Sequence, residues 1–130
     1  MSFKSVLQTK RIPGGDWRRT ELTADLTYFD KKLDTMFTVP KGTRTDGASV
    51  PRIFWSILPP RGKYLESAVL HDYLYQSPPF GDGATGRKMA DAIFRRAMKS
   101  QGVGKFKRNL MYRAVRAGGG FIWRRRHNKD

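Results

Sequence analysis

The sequence predicts an α+β fold: a small N-terminal antiparallel β-sheet or meander followed by three main α-helices, the first two an antiparallel pair. Two patterns and one size argument carry this. Alternation with a period of two is confined to the first 45 residues, and helical periodicity to residues 63–117. The chain has 130 residues, 38% of them hydrophobic, with 8 Phe, 5 Tyr and 3 Trp to fill a core. That length suits a single domain spanning residues 1–130.

Each element has its own local reason. Residues 3–12 form an extended stretch that ends at the turn Pro13-Gly14-Gly15-Asp16. Leu22, Ala24, Leu26 and Tyr28 alternate with Thr23, Asp25 and Thr27, as a half-buried strand does. Phe29-Asp30-Lys31-Lys32 reads as a turn. Met36-Phe37-Thr38-Val39 is the next strand, stopped by Pro40 and Lys41-Gly42. Residues 45–51 form a loop, followed by a short helical turn over 53–55. A first long helix covers 63–76 and ends before Pro78-Pro79. Thr85 or Gly86 opens a second helix over 87–101, closed by Gly102. A third runs over about 105–117 and ends at Gly118-Gly119-Gly120, leaving 121–130 as a basic tail.

Composition limits the chemistry. The chain has no cysteine, which excludes disulfides, thiolate zinc sites and a cysteine nucleophile, and fits a bacterial cytosol or a virion assembled there. Three or four His or Cys ligands for zinc are lacking, as are a Gly-x-Ser-x-Gly elbow and a phosphate-cradling Gly-x-x-x-x-Gly-Lys loop. No apolar run approaches the roughly 20 residues of a membrane span. The N-terminus lacks the apolar stretch of a signal peptide, so the expected location is the host cytoplasm during infection, and the virion. The net charge is +15, and +12 of it lies from Gly86 onward. Such a field attracts nucleic acid, anionic membrane or acidic partners.

Of two histidines, His127 falls in the basic tail and His71 falls on a helix. Helical spacing puts His71 and Asp72 on one broad face with Tyr64, Ala68 and Tyr75. A carboxylate among such neighbours costs several kcal/mol unless it is paired, hydrogen-bonded or metal-bound. Asp91 lies at the edge of the apolar stripe of the second helix. Folded back antiparallel, it can accept the His71 ring N–H and leave the other nitrogen as a base. The purely structural alternatives are an ion pair from Asp91 to Arg87 or Arg95, and a buried polar network around His71 and Asp72. If the site is active, His71 is the general base on water, with Asp72 and Asp46 holding a hard cation such as Ca²⁺.

Two resemblances meet on these residues. The segments Val39–Gly42, Thr45–Arg52, His71–Tyr75, Ala90–Phe94 and Met111–Arg116 resemble, in order, the tailed-phage domain-of-unknown-function family numbered 1353. This likeness implies phage or prophage origin and brings no activity with it. Separately, His71-Asp72-x-x-Tyr75 with Asp91 twenty residues after the histidine is similar to the active-site helices of phospholipase A2, most closely the disulfide-free type of parvovirus capsids. That resemblance implies His71 activating water, Asp72 binding Ca²⁺, Asp91 orienting the histidine and Tyr75 supporting the pair. It also implies a Gly-rich calcium loop before the helix, for which Pro60–Lys63 and Asp46–Ala48 are the candidates.

Two other functions fit the same chain. One is a non-catalytic virion component of tail, head or ejection apparatus, bound to other phage proteins, with Asp46, His71, Asp72 and Asp91 as a structural polar knot. The other is a nucleic-acid-binding protein. There the second and third helices form a helix-turn-helix about Gly102-Val103-Gly104, with Lys105, Lys107, Arg108 and Asn109 opening the second helix of the pair. The anionic-surface contacts expected on charge alone are Lys105, Lys107, Arg108, Arg124, Arg125 and Arg126.

Overall fold

The computed structural model describes residues 2–3, 9–11, 20–45, 65–79, 81 and 83–127. Short strands come first: β1 (Ser2–Phe3), β2 (Thr9–Arg11), β3 (Thr20–Leu22), β4 (Leu26–Asp30), β5 (Thr35–Val39) and β6 (Arg44–Thr45). Three helices follow: α1 (Leu65–Gln76), α2 (Ala84–Ser100) and α3 (Lys105–His127). The α+β class stands. The loop over 45–51, the helical turn over 53–55 and the turn at 13–16 lie outside the described residues, apart from Thr45.

The strands form two antiparallel three-stranded sheets, ordered β1-β4-β5 and β2-β3-β6. In the first, a hairpin pairs Leu26 with Val39 and Asp30 with Thr35. Its four-residue turn is fixed by Asp30, whose carboxylate accepts from the Leu33 amide at 3.2 Å, and by Asp34 in the left-handed region at φ 50°. Leu26, Tyr28, Phe37 and Val39 point inward, and Met36 and Thr38 outward, as a pleat of period two requires.

Four expectations need correction. The stretch 3–12 contributes strands to two different sheets rather than one strand. The alternating run 22–28 is likewise divided. Leu22 exchanges hydrogen bonds with Thr43 and Gly42, while Asp25 accepts from the Lys41 amide at 2.7 Å, so the chain changes sheets across residues 23–25. Phe29 and Asp30 lie in the strand, and the turn falls on residues 31–34. Finally, α3 continues through Gly118–Gly120 to His127. Three glycines cost a helix about 1 kcal/mol each. The turn before them is clamped by Arg87, which donates to the carbonyls of Val115 and Arg116 at 2.8 and 2.7 Å.

The helices pack antiparallel around α2. Near one end of the pair, Ser67 bonds Gln101; further along, Tyr75 bonds Asp91. Leu22, Leu26, Tyr28, Phe37 and Val39 of the strands meet Val69, Leu70, Leu74, Ala90, Ile93 and Ala97 of α1 and α2 in one core. A second core joins all three helices through Ala68, Phe94, Met98, Met111 and Val115. Full burial of each large apolar side chain contributes roughly 1.5–3 kcal/mol. The α2–α3 turn is a Schellman motif: Val103 donates to Met98 at 3.0 Å, Gly102 donates to Lys99 at 3.1 Å, and Gly102 takes φ 83°. No helix among the described residues is long and apolar enough to cross a membrane.

Candidate functional site

His71, Asp72 and Tyr75 sit in the second half of α1, and Asp91 in the middle of α2. All four are buried to full or nearly full extent. The antiparallel packing brings Asp91 directly against His71. Nε2 of His71 lies 2.7 Å from Oδ1 of Asp91, and the Tyr75 hydroxyl donates to the same oxygen at 2.6 Å. The ring is held from its sides as well: it stacks on Phe94 at 4.5 Å and meets Tyr75 at a tilt at 4.4 Å. The spacing of one helical turn between His71 and Tyr75 puts both over the same point on α2.

The other oxygen of Asp91 belongs to cations. Arg116 of α3 donates from Nη1 to Oδ2 at 2.8 Å, and Nε of Arg87 stands 4.0 Å away. Burial pushes the Asp91 carboxyl upward, but the hydrogen bond and coulombic attraction of His71, with hydrogen bonds from Tyr75 and Arg116, outweigh it and hold the group below its ordinary range. It is therefore a carboxylate at neutral pH. Facing a carboxylate, Nε2 of His71 acts as the donor to Oδ1. Burial and the adjacent Asp91 charge drive the Tyr75 phenol well above its ordinary value, which keeps it a donor.

The surface ion pairs open to Asp91 on sequence are thus secondary. Arg87 approaches it only at 4.0 Å, while Arg95 lies over the Tyr112 ring at 5.2 Å. Sequence reasoning missed Arg116 as a partner. It is one of many cations in the C-terminal part, and nothing in its local pattern marks it.

Asp72 is buried beside His71 and accepts from Gln76 Nε2 at 3.0 Å. Gln76 also donates to the Arg44 carbonyl at 3.0 Å, tying the end of α1 to β6. Calcium takes six to eight oxygen ligands. Among the described residues no group of three or more His, Cys, Asp or Glu could hold a metal ion, and Asp46 lies outside them.

The expected anionic contacts separate. Lys105 and Lys107 are exposed in the first turn of α3. Arg108 is half-buried and donates to the Val103 carbonyl at 3.2 Å. Positions 124–126 fall in the last turns of α3 rather than in a free tail, and their side chains lie outside what is described, as does that of His127. At 1.5 Å per residue, Gln101 at the end of α2 is roughly 15 Å along the helix from Asp91, so the lysine pair and the His71 cluster are separate features.

Comparison with known proteins bears on the same residues. The family model described as "Protein of unknown function (DUF1353)" matches residues 20–115, from β3 into α3, and takes in His71, Asp72, Tyr75 and Asp91. The chain belongs to the DUF1353 family. This DUF1353 chain is also 39% identical over 97 residues to the uncharacterized protein y4jT of Sinorhizobium fredii (strain NBRC 101917 / NGR234). The match takes in 73% of this chain, which spans about a quarter (27%) of the length of that curated relative. No solved structure matches it.

Proposed function

We propose that this DUF1353 chain is a phage-encoded hydrolase of phospholipase A2-like type, acting on ester lipids of the host envelope with His71 as general base. One observation carries the reading: Asp91 accepts from both His71 Nε2 and Tyr75, so the imidazole tautomer and ring plane are fixed by groups on two helices. In this mechanism Nδ1 takes a proton from water as the oxygen attacks the ester carbonyl. The tetrahedral adduct collapses, and the leaving alkoxide recovers the proton from the imidazolium. Asp91 stabilises that imidazolium, and Tyr75 and Arg116 keep Asp91 in place.

Release of fatty acid from ester-lipid vesicles, with and without Ca²⁺, tests this. His71→Gln keeps much of the ring's volume and should lower turnover by about 10²–10⁴-fold, the usual contribution of a general base. Asp91→Asn should lower it as well, and dependence on Ca²⁺ would implicate Asp72 with ligands beyond the described residues. Wild type with no activity on any lipid or ester ends the hydrolase reading.

The complete burial of His71, Asp72 and Asp91 favours a second reading. There the same bonds lock α1, α2 and α3 together in a non-catalytic virion component that meets other phage proteins. Loss of folding stability in His71→Gln and Asp91→Asn, with no turnover in wild type, is its expected result.

A further inference from the structure

Among the residues whose side chains are described, Met36 and Phe106 are the large hydrophobic side chains left exposed, at 50% and 80%. Phe106 stands in the first turn of α3. Leu110, one turn on, is half-buried on the same face, and Arg113 and Ala117 continue that face outward. Lys105 and Lys107 flank the ring, both exposed, and Lys99 is exposed on the last turn of α2. From residue 99 to 117 there is no Asp or Glu. Glu66 of α1 accepts from Gln101 Nε2. The Schellman motif at Gly102 holds this end of the molecule in one shape.

We propose that this outward face of α3, led by Phe106, docks the protein on an anionic lipid bilayer. An apolar ring and a leucine on one stripe, edged by long cationic chains that can reach headgroup phosphates while their stems stay apolar, are what an interfacial helix presents. Duplex DNA fits the face less well. Base-edge readout draws on Arg, Lys, Asn or Gln near the start of the second helix, and of these only Lys105 and Lys107 are exposed. Arg108 is instead bonded to the Val103 carbonyl, and Asn109 is half-buried with its Oδ1 facing inward. Phe106, exposed at the start of the helix, has no donor or acceptor for a base edge. The inference shares its lipid target with the hydrolase reading but concerns binding alone.

Co-sedimentation with ether-linked vesicles, which present no ester bond, measures it. Wild type should pellet with phosphatidylglycerol vesicles and stay in solution with phosphatidylcholine vesicles. Phe106→Ser should weaken partitioning about tenfold or more, and Lys105→Ala and Lys107→Ala about fivefold each. The exposed position of Phe106 predicts an unchanged thermal unfolding curve for Phe106→Ser. Equal binding by wild type and Phe106→Ser overturns the proposal. So does binding of a DNA duplex, in place of vesicles, that depends on Phe106. A dimer in solution that Phe106→Ser dissociates would also overturn it, by giving the face to a second copy. Absence of fatty-acid release from ester lipids counts against the hydrolase alone and leaves these results unchanged.

Discussion

Replacing Asp91 by Asn removes one charge from the point where all three helices meet and keeps nearly the same shape. In the wild type, Oδ1 accepts from His71 and Tyr75, and Oδ2 accepts from Arg116. An amide has one acceptor end. If its oxygen serves His71 and Tyr75, its NH₂ group faces the Arg116 guanidinium, donor against donor; flipped, it opposes Tyr75 instead. A hydrogen bond to a charged group is worth about 1.5–3 kcal/mol, and breaking a buried pair from one side costs about 3–5 kcal/mol. The Arg116 side chain is 32% exposed, so water takes up part of its loss. The expected destabilisation is about 2–3 kcal/mol, a large share of the roughly 5–15 kcal/mol typical of a domain. Urea unfolding at pH 7 should show a lower midpoint with an unchanged slope. The sign with pH is fixed by the depressed native pKa of Asp91. Its contribution is complete above the unfolded carboxyl value of about 3.9 and fades as pH falls through the native value. The gap between wild type and variant should therefore narrow in acid. A loss below about 1 kcal/mol at pH 7, or a gap that widens below about pH 4, refutes an ionised Asp91 as the hub.

Four further outcomes follow from the same packing. Tyr75→Phe deletes one donor to Asp91 and should cost about 1–2 kcal/mol, read as a fall of a few degrees in melting temperature. Because burial and neighbouring carboxylates raise the Tyr28 and Tyr75 phenols well above the ordinary tyrosine value, both should stay protonated in alkaline titration while the fold persists. Their contribution to stability is whole below the unfolded value of about 10 and is lost as pH rises beyond it. Asp30→Asn breaks the buried pair in which Arg96 holds Asp30 through Nε and Nη2 at 3.0 Å each. It should cost about 3 kcal/mol in urea unfolding, since the carboxylate also anchors the β4–β5 turn. Gly102→Ala forces a Cβ into φ 83° and should cost about 1 kcal/mol by the same assay; no loss would mean that the Schellman turn is not held in solution.

Much of the helical half was legible because its determinants are local. The period around His71 and Tyr75, the Pro78-Pro79 stop and Gly102 each act within a turn or two of chain. The strands were harder. The run 22–28 alternates perfectly well as one strand, yet the Leu22 and Asp25 partners lie near residues 41–43, and only those contacts divide it between sheets. The glycines at 118–120 carry a strong local stop that tertiary clamping by Arg87 offsets.

By itself the sequence determined which side chains share a helix face, so His71, Asp72 and Tyr75 were bound to stand together, with Asp91 on the apolar edge of its own helix. It also placed the positive charge in the C-terminal part. Tertiary structure alone decided which cation closes on Asp91, that Arg108 turns back to its own turn, and that Phe106 is left in water. The reason is geometric. Periodicity fixes orientation about one helix axis, whereas partner choice depends on the relative register and rotation of two helices, which the packed cores set over long separations in the chain.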